Sequence, residues 1–219
     1  MPLAMVISRL EAEYGKPKPP PRDPWALILW ENVAYLANDD RRGQAFHTLR
    51  KRIGIQPAKI LAASDDALLE VTSFGIMAEK FTAKLRTCAE TALREFDGDL
   101  SAVLKLSQSK ARKALQKFPG IGGPGADKIL LFAHTNPSLP LDSNGCRVLC
   151  RLGLGKEDKD YSKMYRLVQR AIEPELDRDF PWLIASHQLL RRHGQEMCNA
   201  SRPLCGGCPL ADQCPSREL

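Results

Sequence analysis

Four cysteines, Cys198, Cys205, Cys208 and Cys214, follow the spacing C-x6-C-x2-C-x5-C in a 219-residue chain. Four soft sulfur donors in so short a stretch suit zinc or an iron–sulfur cluster. Structural zinc commonly uses two close cysteine pairs separated by a longer stretch. Here Cys205 and Cys208 are the one close pair, with a longer gap on each side. That arrangement favours a cubane cluster, with zinc and a pair of disulfides as the alternatives. Cys88, Cys146 and Cys150 lie in helix-like stretches and read as buried, reduced thiols.

A second segment with chemical potential is KALQKFPGIGGPGADKILLFA, residues 113–133. It reads as helix, glycine-rich hairpin, helix. Gly120 and Gly122 would let the backbone turn sharply and approach another surface closely. Pro124 fits the first turn of the following helix, whose free N–H groups form an anion site beside Gly125. The helix ahead of the hairpin carries Lys105, Lys110, Arg112, Lys113 and Lys117. Backbone donors beside so many cations suit a phosphodiester, although an ordinary turn between two solvated helices has the same composition. Asp142 is the third candidate. It follows the extended Ser138–Leu141 and precedes a helix through Cys146 and Leu149. A carboxylate there gains from the helix N–H groups and stays ionised, whether it is a plain cap or a catalytic group.

The elements that must position these residues are helical. KPKPPPRDP, residues 16–24, is too proline-rich for a helix and reads as a linker after a short helix at about 3–14. Ile76, Phe81, Leu85, Cys88, Ala92 and Phe96 recur at helical steps along one face. Ser64 before DDALLEV reads as an N-cap, and FDGDL at 96–100 as a turn. No strand-type alternation or internal repeat emerges, so the fold class is all-α with about ten helices. The formal charge of +6 points weakly to a polyanionic partner. No run of 18 apolar residues occurs and the N-terminus lacks the pattern of a signal peptide, which predicts a cytoplasmic protein without a membrane span.

Taken together, these motifs resemble the endonuclease III branch of the helix-hairpin-helix DNA glycosylases. FPGIGGPGADKILL resembles that family's hairpin and PLDSNGCRVLCRLGL its catalytic segment. The cysteine spacing is similar to its iron–sulfur loop, and SFGIMAEKF to the loop that carries a wedge residue. The resemblance covers roughly residues 25–215. It implies two all-α lobes: a six-helix barrel over 25–135, and a cluster lobe combining 1–24 with 136–219. It implies a [4Fe-4S] cluster on Cys198, Cys205, Cys208 and Cys214, and a monomer acting near the nucleoid on double-stranded DNA with a lesion or abasic site. Asp142 becomes the catalytic carboxylate at an oxocarbenium-like sugar.

Other roles follow from the same resemblance. Ile76 falls at the wedge position, although its spacing also fits a core residue at the start of a helix. The second insertion point falls near Trp30-Glu31-Asn32, where Glu31 and Asn32 would line the base pocket. Gly120, Gly122, Gly125, Arg147 and Arg202 fall at DNA-contacting positions, and Arg151 matches a further family arginine. Bifunctional members carry a lysine nucleophile where this chain has Pro124, which implies base removal without an efficient lyase step. Lys128, one helical turn on and about 6 Å along the axis, is expected to be solvated or on phosphate. The alternatives are a lyase that uses Lys128 or another amine, and a non-catalytic binder of damaged DNA.

Overall fold

The computed structural model describes residues 1–217. Eleven α-helices are assigned among them: α1 Leu3–Tyr14, α2 Pro24–Asn32, α3 Asp39–Arg52, α4 Pro57–Ala62, α5 Asp65–Thr72, α6 Ala78–Phe96, α7 Gln108–Leu115, α8 Gly123–Phe132, α9 Ser143–Arg151, α10 Tyr161–Ile172 and α11 Phe180–Glu196. The chain divides into two compact units, residues 20–136 and residues 1–19 with 137–219.

In the unit of residues 20–136, α2 is the centre. Its sequence PWALILWEN is apolar almost all round, which is the signature of a helix buried on every face. Asp23 caps it by accepting from the Ala26 N–H at 2.8 Å, and Pro24 occupies the first turn. Around it stand α3, α6 and α8, and α6 also packs on α4 and α5. The α6 helix buries Phe81, Leu85, Cys88 and Ala92 as one stripe. It starts later than the apolar spacing predicts. Met77 adopts a left-handed backbone (φ 57°), which stops the helix before it can include Ile76. Ser64 caps α5 through the Ala67 N–H, and Asp97 and Gly98 turn the chain at left-handed angles.

Gly75 stands where no side chain fits. A Cβ there would lie 2.3 Å from the Tyr35 backbone nitrogen. That close approach lets the Ile76 N–H reach the Tyr35 carbonyl at 3.0 Å and ties the α2–α3 loop to the α5–α6 loop. Gly75→Ala must push two backbones apart and should cost about 1–3 kcal/mol, read as a lower midpoint in a denaturant titration. An unchanged midpoint would mean that the two loops are not tied together.

In the second unit, α11 packs on α1 and α9, and α10 on α9. Asp179 caps α11 by accepting from the Trp182 N–H at 2.9 Å. Residues 197–217 follow α11 as an irregular loop with two short 3-10 turns, Cys205–Gly207 and Ala211–Gln213. No helix among the described residues is long and apolar enough to cross a membrane.

Candidate functional site

Asp142 is the N-cap of α9. Its Oδ1 accepts from the Gly145 N–H at 2.9 Å, and its Oδ2 accepts from Asn144 at 3.2 Å. Arg191 Nε, from α11, lies 3.4 Å from the same Oδ2. The segment that delivers Asp142 is held by its carbonyls. The Leu139 carbonyl accepts from Gln169 at 2.6 Å, that of Pro140 from His187 Nδ1 at 2.7 Å, and that of Leu141 from the Tyr161 hydroxyl at 2.8 Å. Three successive fixed peptides leave little freedom to the residue that follows. Burial pushes the Asp142 carboxyl up, but His187, the Gly145 N–H, Arg191 and Asn144 outweigh it and hold the group below the ordinary aspartate range. The result is a partly buried carboxylate that stays ionised at neutral pH, suited to facing a cationic sugar.

The hairpin joins α7 to α8. Gly120 has φ 82° and meets the need for a left-handed residue. Gly122, by contrast, is extended at φ −82°, so the turn does not require glycine there. It caps α8 without a side-chain bond, and the Gly123 and Gly125 N–H groups have no acceptor within the helix. Of the basic residues around it, Arg112 pairs with Asp127 at 3.2 Å and Lys117 with Glu95 at 2.7 Å, while Lys105, Lys110 and Lys113 are exposed.

Ile76 is 54% exposed at the tip of its loop, which rules out the core placement that its spacing also allowed. Beside it on the tied α2–α3 loop stands Leu36, 66% exposed at φ 55°. A left-handed, solvent-facing leucine costs about 1–3 kcal/mol.

The four cysteines Cys198, Cys205, Cys208 and Cys214 line one cavity with apolar walls from Val148, Leu152 and Leu210. All four are free cysteines in this structure. Among the described residues no three histidines, cysteines or acids converge closely enough to hold a single ion. The soft four-sulfur donor set fits an iron–sulfur cluster. Cys88, Cys146 and Cys150 are buried, their thiols pushed up by burial to about 12, 12 and 11, and are inert.

No family model matches the sequence. The endonuclease III of Sulfolobus acidocaldarius is 26% identical over 88% of this chain and 82% of its own length. A thymine/uracil-DNA glycosylase of Pyrobaculum aerophilum is 27% identical over 91% and 84%. Among solved structures, a non-covalent endonuclease III–DNA complex superposes with a TM-score of 0.72 at 18% identity, covering 98% of this chain and 94% of that one. A thermostable thymine-DNA glycosylase gives 0.71 at 14% identity, covering 99% and 96%. The chain is similar in sequence to endonuclease III and related DNA glycosylases, and it shares their helix-hairpin-helix fold.

Within this helix-hairpin-helix fold, three sequence-based expectations need correction. Asn32 is only 1% exposed and donates to the Ile28 carbonyl at 3.0 Å, so it does not line a pocket. Its Oδ1 lies 3.1 Å from where a Gly120 Cβ would sit, and it buttresses the hairpin instead. Lys128 is not solvated: its side chain is 12% exposed and its Nζ lies 2.5 Å from Glu31 Oε2. Arg42 approaches the other Glu31 oxygen at 3.7 Å. Arg147, expected on DNA, directs its guanidinium inward, to the Cys198 carbonyl at 2.9 Å, the Gly194 carbonyl at 2.6 Å and Asn144 Oδ1 at 2.9 Å. Leu36, which the sequence did not single out, is a further exposed apolar residue at 66%.

Arg151 likewise serves the cysteine loop, through Cys198 Sγ at 3.4 Å and the Asn199 carbonyl at 2.8 Å. Arg202 is exposed on that loop, its N–H held by Asn199 Oδ1 at 2.7 Å.

Proposed function

We propose that the chain hydrolyses the N-glycosidic bond of a damaged or mispaired base flipped out of duplex DNA, without an efficient lyase step. The observation that carries this reading is Asp142: an ionised carboxylate, capped, partly buried and delivered by three fixed peptides. As the glycosidic bond breaks, positive charge develops on the sugar, and a preorganised anion stabilises it. Ile76 and Leu36 fill the space left by the flipped base, an apolar wedge into the stack. Phosphate is held by the α8 N-terminus, where Gly120, Gly122 and Gly125 leave the backbone uncovered, and by Arg202. Glu31 lines the base pocket, its charge balanced by Lys128 and Arg42. Glu31→Gln changes the preferred base under this reading.

The four cysteines hold a [4Fe-4S] cluster. When bound, it ties residues 197–217 together through metal–sulfur bonds. Arg147 and Arg151 anchor that loop to α9.

The monofunctional reading rests on Pro124, which has no nucleophile, and on Lys128, whose amine is committed to Glu31. The test is a panel of duplexes bearing oxidised pyrimidines, alkylated purines, or deaminated and mismatched bases. Base release should require alkali before the strand breaks, and borohydride should trap no protein–DNA adduct. A trapped adduct would favour the bifunctional reading. Tight binding to abasic DNA with no release from any lesion would favour a non-catalytic binder.

A further inference from the structure

His193 is the one imidazole that touches the cysteine cavity, and neither base removal nor DNA binding uses it. It lies near the end of α11, 1% exposed, between two polar groups. Its Nδ1 is 2.8 Å from the Tyr14 hydroxyl, and its Nε2 is 3.6 Å from Cys208 Sγ. The donor pattern follows from chemistry. A metal-bound cysteine is a thiolate and only accepts, so Nε2 carries the hydrogen. In a neutral imidazole Nδ1 is then a bare lone pair, and the Tyr14 hydroxyl must donate to it. Tyr14 closes α1, and its position is fixed in turn by Arg192. That guanidinium lies 4.7 Å over the Tyr14 ring and donates to the Tyr14 carbonyl at 3.3 Å.

The sulfurs are not equivalently supported. Cys208 Sγ accepts from His193 and also from the Leu210 N–H at 3.4 Å. Cys198 Sγ accepts from Arg151 at 3.4 Å. Cys214 Sγ lies 3.5 Å from the Arg151 carbonyl, an acceptor. Hydrogen bonds to ligand sulfur withdraw charge and favour the reduced, more negative form of an iron–sulfur centre, which raises its reduction potential.

We infer that Tyr14 and His193 form a hydrogen-bond relay from the N-terminal helix to the Cys208 thiolate, and that this relay sets the reduction potential of the cluster. The inference rests on the cluster reading above. Both residues are positioning residues: they act on the cluster through Cys208.

The experiment uses the full chain purified anaerobically, with iron and sulfide analysis, and voltammetry in which the electrode supplies the electron. The variants are Tyr14→Phe, His193→Gln and His193→Leu. Tyr14→Phe removes one oxygen and frees the tautomer. His193→Gln keeps an N–H donor, and His193→Leu removes it. With iron content and helicity at the wild-type level, His193→Leu should move the potential to more negative values and Tyr14→Phe should move it the same way by less. His193→Gln should stay near wild type. Should His193→Leu fail to fold, Tyr14→Phe decides alone. Iron present with one potential shared by wild type and Tyr14→Phe overturns the relay and leaves the cluster standing. A wild-type chain without iron overturns the cluster reading, and the relay with it.

Discussion

Asp142→Asn should lower single-turnover base release by about 10²–10⁴-fold while the protein stays folded and still binds DNA. The substitution removes charge but keeps the cap, because an amide oxygen can still accept from the Gly145 N–H that Asp142 now holds. Losing the charge beside Arg191 also lowers thermal stability somewhat, so a loss of activity in protein that is still folded and still binds DNA assigns the effect to chemistry. The pH dependence follows in sign. The Asp142 carboxyl is held below the ordinary aspartate range, so its anionic form persists through neutral and mildly acidic pH. Release that depends on it should stay level down to that range and fall only below it. The same group, with its depressed folded-state value, contributes stability above the unfolded-state value, lost as pH falls through the folded one. An acid limb near neutrality would mean that another group limits the rate. Activity retained by Asp142→Asn would remove the catalytic assignment altogether.

Cys205→Ala should abolish iron binding and unfold the loop after α11. Between Gln195 and Arg217, Leu210 is the single buried residue, so the segment has almost no core of its own. Four-thiolate metal sites contribute on the order of 10 kcal/mol to folding, far more than the burial of one leucine at about 2 kcal/mol. The consequence extends beyond the loop. Cys198 supplies the carbonyl that anchors Arg147, Arg147 holds Asn144, and Asn144 donates to Asp142. The variant should therefore lose solubility and DNA affinity, and any soluble fraction should release base more slowly. Iron analysis, amide exchange over 197–217 and a binding isotherm at two salt concentrations check this. Wild-type iron content in Cys205→Ala would remove that residue from the ligand set.

Much of this site is legible along the chain, because its signals are local. An N-cap needs a side-chain oxygen and the next three residues, so Asp142 and Ser64 follow from short-range pattern. The first helix follows from its apolar spacing and the prolines after it. Asn32, expected in the base pocket, is instead the buried last residue of α2, a helix whose PWALILWEN run is apolar on almost every side.

Other features are not local. Glu31 and Lys128 are separated by 97 positions, and no spacing rule brings them together. Leu36 carries no sequence sign of exposure, because that depends on a left-handed backbone and on Gly75 admitting the Tyr35 backbone. Arg147 and Arg202 are both arginines beside a motif. One turns inward only because free carbonyls of α11 and the cysteine loop lie within its reach.

The four cysteines, the hairpin and Asp142 are legible as local motifs, since ligand sets, tight turns and helix caps are built over a few residues, and the family that their order resembles is what implies a class of chemistry. Which cations stay exposed to a polyanion, which carboxylate is neutralised from within, and which sulfur receives the extra donors are decided by tertiary packing. Those properties depend on groups brought within a few ångströms from distant parts of the chain.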